Sequence, residues 1–131
     1  MNRVLVVDDD RALTRAINVR LTAEGFRVHI CHDAHEASRA AVHQLPDLII
    51  LDVDLPGYSG MELHHCLQFS DRAKNIPVIY LSGYDTQTNR RVAFEQGAAA
   101  FLTKPYDPSV LVETIRTTIR AAQSPYVPVE S

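Results

Sequence analysis

The chain has 131 residues, 46% of them hydrophobic and 22% charged, which fits one globular domain with a buried core and excludes disordered, collagen-like and coiled-coil chains. Thirteen basic against sixteen acidic side chains give a formal charge of -3, without the basic excess that nucleic acid phosphates attract. Two cysteines, Cys31 and Cys66, form no CxxC pair, and the opening MNRVLVVDDD is too short an apolar run for a signal peptide or membrane span, so a reducing, cytoplasmic setting is expected.

Five short apolar runs rich in β-branched residues recur, at residues 4–7, 28–31, 48–51, 78–81 and 100–102. Such runs suit strands buried on both faces. Segments of helical period fill the intervals. Leu13, Ala16, Ile17 and Leu21 make the first apolar stripe, closed by Gly25. Asp33, followed three residues later by Glu36, resembles a capping box opening a second helix that Pro46 limits. A third helix is predicted over residues 60–69, a fourth over 86–96 with Gly97 past its end, and a fifth over 108–122 with Leu111, Ile115 and Ile119 as its buried stripe. Strict alternation of five strands with five helices implies parallel strands, right-handed crossovers and a doubly wound α/β sheet with helices on both faces. Residues 1–122 read as the domain, and residues 123–131, with Pro125 and Pro128, as a C-terminal tail or linker.

In an open parallel sheet, ligands bind beyond the carboxyl ends of the strands, so the residues that close each run matter most. The first run ends in Asp8, Asp9 and Asp10, the third in Asp52, the fourth in Ser82, and the fifth in Thr103 and Lys104, followed by Pro105. Three converging carboxylates repel one another unless a cation shares the site. Oxygen donors, with no histidine or cysteine at those strand ends, favour Mg²⁺. Lys104 adds a cation on a flexible stem and Ser82 a hydroxyl, a set suited to holding a phosphoryl group with a carboxylate in the middle as its acceptor. Taken singly, an aspartate after a strand is more often a turn former or helix cap, Asp10 above all. The functional reading rests on coincidence: an acid pair, a lone acid, a hydroxyl and a lysine close four different strands.

With these residues, the chain resembles the receiver domains of bacterial two-component response regulators over residues 3–121. The motifs are VVDDD, LIILDVDLPGYSGMEL, IYLSG and GAAAFLTKPYD. The resemblance implies the flavodoxin-like strand order 2-1-3-4-5 and a signalling domain, not an enzyme, that assists its own phosphorylation and dephosphorylation. It implies Asp52 as phosphoacceptor, charged from the phosphohistidine of a histidine kinase or a histidine phosphotransfer protein. Mg²⁺ is then expected on Asp9 directly, on Asp8 chiefly through water, and on Asp52 and the backbone carbonyl of Asp54. Lys104 and Ser82 are expected to bind the phosphoryl oxygens, Ser82 and Phe101 to act as the switch, and the peptide before Pro105 to be cis. A downstream effector domain or protein is expected on the face of the fourth helix, fifth strand and fifth helix, where Tyr84, Phe94 and Tyr106 offer apolar area. Direct nucleic acid or membrane contact is not expected.

Some positions depart from the family pattern. Phe101 lacks a tyrosine's hydroxyl, so inward rotation would rest on apolar packing. Ser82 replaces threonine and Leu55 a common methionine, both keeping the relevant chemistry. Asp54, two residues past the acceptor, adds a carboxylate that could repel a phosphoryl group or orient a water. The segment LIILDVDL also looks like the DxD strand of haloacid dehalogenase-like phosphatases, but the acid pair precedes Asp52 and the chain is short for such an enzyme. A degenerate, purely protein-binding receiver is disfavoured because every charged site position is filled. GYSGM around Ser59 is one residue off a GxSxG elbow, and Gly57 and Gly60 are expected to serve turn geometry. His29, His32, His35, His43, His64 and His65 show no convergent spacing and are expected on the solvated surface.

Overall fold

The computed structural model describes residues 1–55, 60–84 and 87–123. The apolar runs form β1 (Arg3–Val7), β2 (Arg27–Cys31), β3 (Leu48–Asp52), β4 (Val78–Ser82) and β5 (Ala100–Thr103). Between and after them lie α1 (Arg11–Ala23), α2 (Ala34–Gln44), α3 (Gly60–Leu67), α4 (Gln87–Glu95) and α5 (Pro108–Gln123). All strands pair in parallel, in the order β2-β1-β3-β4-β5. Every residue of β3 and β4 is buried, as continuous apolar runs covered on both faces must be, whereas the edge strand β2 keeps partial exposure.

Alternation along each strand divides the core in two. Val4, Val6, Leu48, Ile50, Ile79 and Leu81 pack with Ile17 and Leu21 of α1 and Leu111, Ile115 and Ile119 of α5. Their neighbours Leu5, Val7, Ile49, Leu51 and Tyr80 pack on the other face with residues of α2, α3 and α4. Each fully buried aliphatic side chain contributes about 1.5–3 kcal/mol relative to exposure, so this two-sided pattern holds every crossover against the sheet.

The helix ends follow local chemistry. Asp10 caps α1, its Oδ1 accepting from Leu13 N–H at 3.0 Å, and Asp33 caps α2 by accepting from Glu36 N–H at 2.7 Å. Gly25 and Gly97 adopt left-handed φ of 95° and 90° just beyond α1 and α4, a conformation that costs glycine nothing. Three boundaries differ from the predicted ones for a common reason: Asp52, Ser82 and Thr103 continue the ladder and end their strands, although polarity placed them outside. The helix α3 stops at Leu67 because the backbone tightens, with Phe69 N–H bonding Cys66 O at 3.1 Å. The predicted start of α4 at Thr86, the loop residues Gly57 and Ser59, and the tail prolines Pro125 and Pro128 lie outside the described residues. No helix among the described residues is long and apolar enough to cross a membrane.

Leu45, which caps the carboxyl end of α2, has φ 47° and ψ 64°, a left-handed conformation that costs a non-glycine residue about 1–2 kcal/mol. The residue is 42% exposed, so removing its side chain gives up part of the burial of a leucine. Relieved strain is offset by glycine's greater unfolded-state entropy and by the lost burial, so Leu45→Gly is expected to change stability by less than about 1 kcal/mol, read as a nearly unchanged urea midpoint where loss of a buried leucine would lower it strongly.

Candidate functional site

Parallel strands deliver their carboxyl ends to one edge of the sheet, and the polar side chains gather there. Asp8 follows β1, Asp52 ends β3, Ser82 ends β4 and Lys104 follows β5. The pairings Val7 with Leu51, Asp52 with Leu81 and Ser82 with Thr103 hold those ends in step. Lys104 Nζ reaches inward to lie 2.8 Å from Asp8 Oδ2 and 3.3 Å from Asp52 Oδ2. Asp8 and Ser82 are fully buried and Asp52 nearly so.

Backbone donors orient both carboxylates. Asp8 Oδ1 accepts from Asp10 N–H and Asp52 Oδ1 from Asp54 N–H, each at 2.9 Å. Burial pushes the Asp52 carboxyl above its ordinary pKa and the Asp8 charge adds to that, while the Asp54 N–H and Lys104 work the other way. For Lys104, burial disfavours the ammonium, but the two carboxylates outweigh it and raise its pKa.

The site fits a hard divalent cation. Carboxylate oxygens of Asp8, Asp9 and Asp52 lie within 4.8 Å of one another, and the donors are all oxygen. Asp8 Oδ2 is buried without a hydrogen bond of acceptable geometry. Lys104 is close to it in distance but misaligned, so charge neutralisation there is stronger than hydrogen-bond satisfaction. A buried oxygen without an aligned donor, beside two further carboxylates, suits coordination by a cation.

Ser82 and Asp54 meet across the ends of β3 and β4. Ser82 Oγ donates to Asp54 Oδ2 at 3.0 Å and accepts from Tyr84 N–H at 3.0 Å. Gly83 N–H donates to the same Asp54 oxygen at 3.2 Å. The Asp54 side chain is therefore anchored to the hydroxyl of Ser82, a contact that spacing alone did not reveal because the residues are 28 apart in sequence. Phe101 is 4% exposed and lies in the core cluster with Tyr80, Ala93 and Ala98, with the Arg90 guanidinium 5.1 Å above its ring. The Lys104–Pro105 peptide is cis. Tyr84 and Phe94 are 67% and 54% exposed, while Tyr106 is half-buried.

Two expectations need correction. His64 is buried, not solvated: its Nδ1 lies 2.6 Å from Tyr80 Oη across an edge-to-face ring contact. It sits with Leu63 and Leu67 on the inner side of α3, where the buried Tyr80 hydroxyl requires a polar partner. Burial lowers the His64 pKa. Gly60 does not serve a left-handed turn. It starts α3 so close to β3 that an added Cβ would collide with Asp52 O and approach Val53 Cα to 2.8 Å.

Residues 4–116 match the response regulator receiver domain. The chain belongs to this family. It is 37% identical over 118 residues to response regulator PleD of Caulobacter vibrioides and 32% identical over 118 residues to response regulator MprA of Mycobacterium ulcerans. Those alignments cover 90% of this chain but 26% of PleD and 50% of MprA. The CheY-like receiver domain protein of Methanospirillum hungatei superposes with a TM-score of 0.86 at 28% identity, covering 94% of this chain and 97% of that one. A receiver domain is a signalling module of two-component systems, and the strand order agrees with that fold.

The close contact of Gly60 with β3 leaves this position sensitive to any added side chain. Gly60→Ala must displace either α3 or the Asp52 carbonyl, and overpacking of this kind costs about 1–3 kcal/mol. A lower thermal midpoint, with shifted amide resonances at Asp52 and Val53, is expected.

Proposed function

We propose that this receiver domain accepts a phosphoryl group on Asp52 from the phosphohistidine of a histidine kinase or histidine phosphotransfer protein. The observation that carries the reading is Lys104 bridging two buried carboxylates at the strand ends. An Asp52 oxygen would attack phosphorus, forming a P–O bond as the P–N bond to the donor imidazole breaks, and the imidazole would leave with the P–N electron pair. Asp8, Asp9 and Asp52, with the Asp54 backbone carbonyl, would hold Mg²⁺, as the shared reach of the carboxylates supports. Bound there, the cation would neutralise carboxylate and phosphoryl oxygens brought close together.

The other residues act by exchanging partners. Lys104 would trade its contact with Asp52 for the phosphoryl oxygens, and Ser82 would release Asp54 to donate its single hydroxyl proton to the same group. Withdrawal of Ser82 would alter the ends of β4 and the packing around Phe101, two residues before Thr103 on the neighbouring strand. Ser82 and Phe101 would thereby shift an equilibrium between two conformations of the α4, β5 and α5 face, offered to an effector domain or protein. The exposed Tyr84 and Phe94 are suited to that contact. The domain would span residues 1–122.

Treatment with a small acyl phosphate and Mg²⁺ is expected to add one phosphoryl mass, lost in Asp52→Asn. Undiminished incorporation in that variant, by intact mass, would move the acceptor elsewhere.

Metal loading offers a second measurement. Mg²⁺ at about a hundred times its dissociation constant stabilises a binding-competent fold by about 2.7 kcal/mol, so the thermal midpoint should rise by several degrees. Asp9→Ala should lose most of that rise. A midpoint indifferent to Mg²⁺ in the unsubstituted protein would count against the site.

A further inference from the structure

Away from the acidic pocket, the outer edge of the sheet gathers a different set of donors. His29 and Cys31 stand two apart on β2, so their side chains leave the same face. Glu36, in the first turn of α2, reaches over that face. One donor atom from each of the three lies within 4.8 Å of the others. The Cys31 thiol and the Glu36 carboxylate are near enough for the Glu36 charge to act on the thiol. Cys31 is fully buried, His29 half-buried and Glu36 exposed, so the softest donor lies deepest and the carboxylate forms an open rim.

We propose that His29, Cys31 and Glu36 form a second cation site, chemically distinct from the acidic pocket, for a borderline-soft divalent metal of the zinc class. One imidazole nitrogen, one sulfur and one carboxylate oxygen make a mixed set of three protein ligands, which leaves a fourth tetrahedral position for water. Thiolate and imidazole disfavour Mg²⁺ and Ca²⁺, whereas the oxygen-only pocket favours them, so the two sites sort metals by softness. Tetrahedral bonds of about 2.0–2.3 Å place neighbouring donors roughly 3.3–3.6 Å apart. Closing from the observed spread takes a shift on the order of 1 Å, which the exposed Glu36 side chain can supply by rotamer change.

The Cys31 thiol must lose its proton for the site to load. Burial, followed by the charges of Glu36 and Asp33, pushes the Cys31 thiol up to about 12. A divalent cation reverses the sign of that local field, and a coordinating thiol is deprotonated. On binding, the S–H bond of Cys31 breaks, its proton passes to solvent, and the sulfur electron pair forms the metal–sulfur bond with no change of oxidation state. The motif escapes a search for paired cysteines because its members are one strand pair and one helix residue. The carboxyl end of β2 does carry the clue: Cys31 closes that run as the acids close theirs.

The test uses the reduced full chain with excess Mg²⁺ to fill the acidic pocket, and Co²⁺ as the spectroscopic probe. One Co²⁺ per chain is expected, with a sulfur-to-cobalt charge-transfer band and visible absorption of tetrahedral intensity. About one proton should be released per metal at mildly alkaline pH, measured by calorimetry in buffers of different ionisation enthalpy. Zn²⁺ should displace Co²⁺ and remove the band. Cys31→Ser should abolish the band, while Cys66→Ser and Asp9→Ala keep it. Because Cys31 lies in the core, His29→Gln and Glu36→Gln provide the variants least able to disturb folding. Each should weaken binding at least about tenfold, a loss seen even for groups that only support a ligand. No charge-transfer band in the parent chain, a band surviving Cys31→Ser, or unchanged affinity in both His29→Gln and Glu36→Gln would overturn the proposal.

Discussion

Two carboxylates buried a few ångströms apart form a constraint that the rest of the molecule accommodates. At 4 Å and an effective dielectric constant of 20, two like charges repel by about 4 kcal/mol, and Asp8 and Asp52 are both withdrawn from water. Lys104 answers that repulsion from one side by contacting both. Backbone N–H groups of Asp10 and Asp54 answer it from below. A third carboxylate, Asp9, lies within 4.8 Å of the same pair, which adds to the negative charge that the single lysine faces. Any anion that enters this edge of the sheet meets the same lysine.

The sheet makes such an arrangement sustainable. Because β3 and β4 are buried along their whole lengths, Asp52 and Ser82 are held by ladder pairing and two-sided packing and not by their own polar contacts. Gly60 brings α3 against the backbone of Asp52 closely enough that no side chain fits between them. Asp54 then spans to Ser82, tying the end of β3 to the end of β4. Asp52, Ser82 and Phe101 thus lie on three consecutive strands of the sheet, β3, β4 and β5, with Lys104 just beyond the last.

Much of this was readable in linear order. Apolar runs and helical stripes located all ten elements, Asp10 and Asp33 marked the starts of two helices, and the clustering of Asp8, Asp52, Ser82 and Lys104 at strand ends followed once the strands were taken as parallel. The strand order is another matter. Periodicity says that β1 is buried on both faces but not which strand lies beside it, and only resemblance to the receiver family supplied the order that the structure shows. At position 64 the sequence reads as a solvated histidine because nothing local shows its partner, which is Tyr80, 16 residues away.

The sequence by itself determined the alternation of strand and helix, since burial periodicity and capping act over a few residues and leave their mark in every short window. It also determined the inventory of acids, hydroxyl and lysine at the strand ends. Tertiary structure alone decided which of those groups touch: Lys104 with Asp8 and Asp52, Asp54 with Ser82, His64 with Tyr80, and the gathering of His29 and Cys31 with Glu36. The physical reason is one of range. Hydrogen bonds and ion pairs act over about 3–4 Å, and whether residues distant in sequence come that close depends on how the sheet is ordered and how its helices pack.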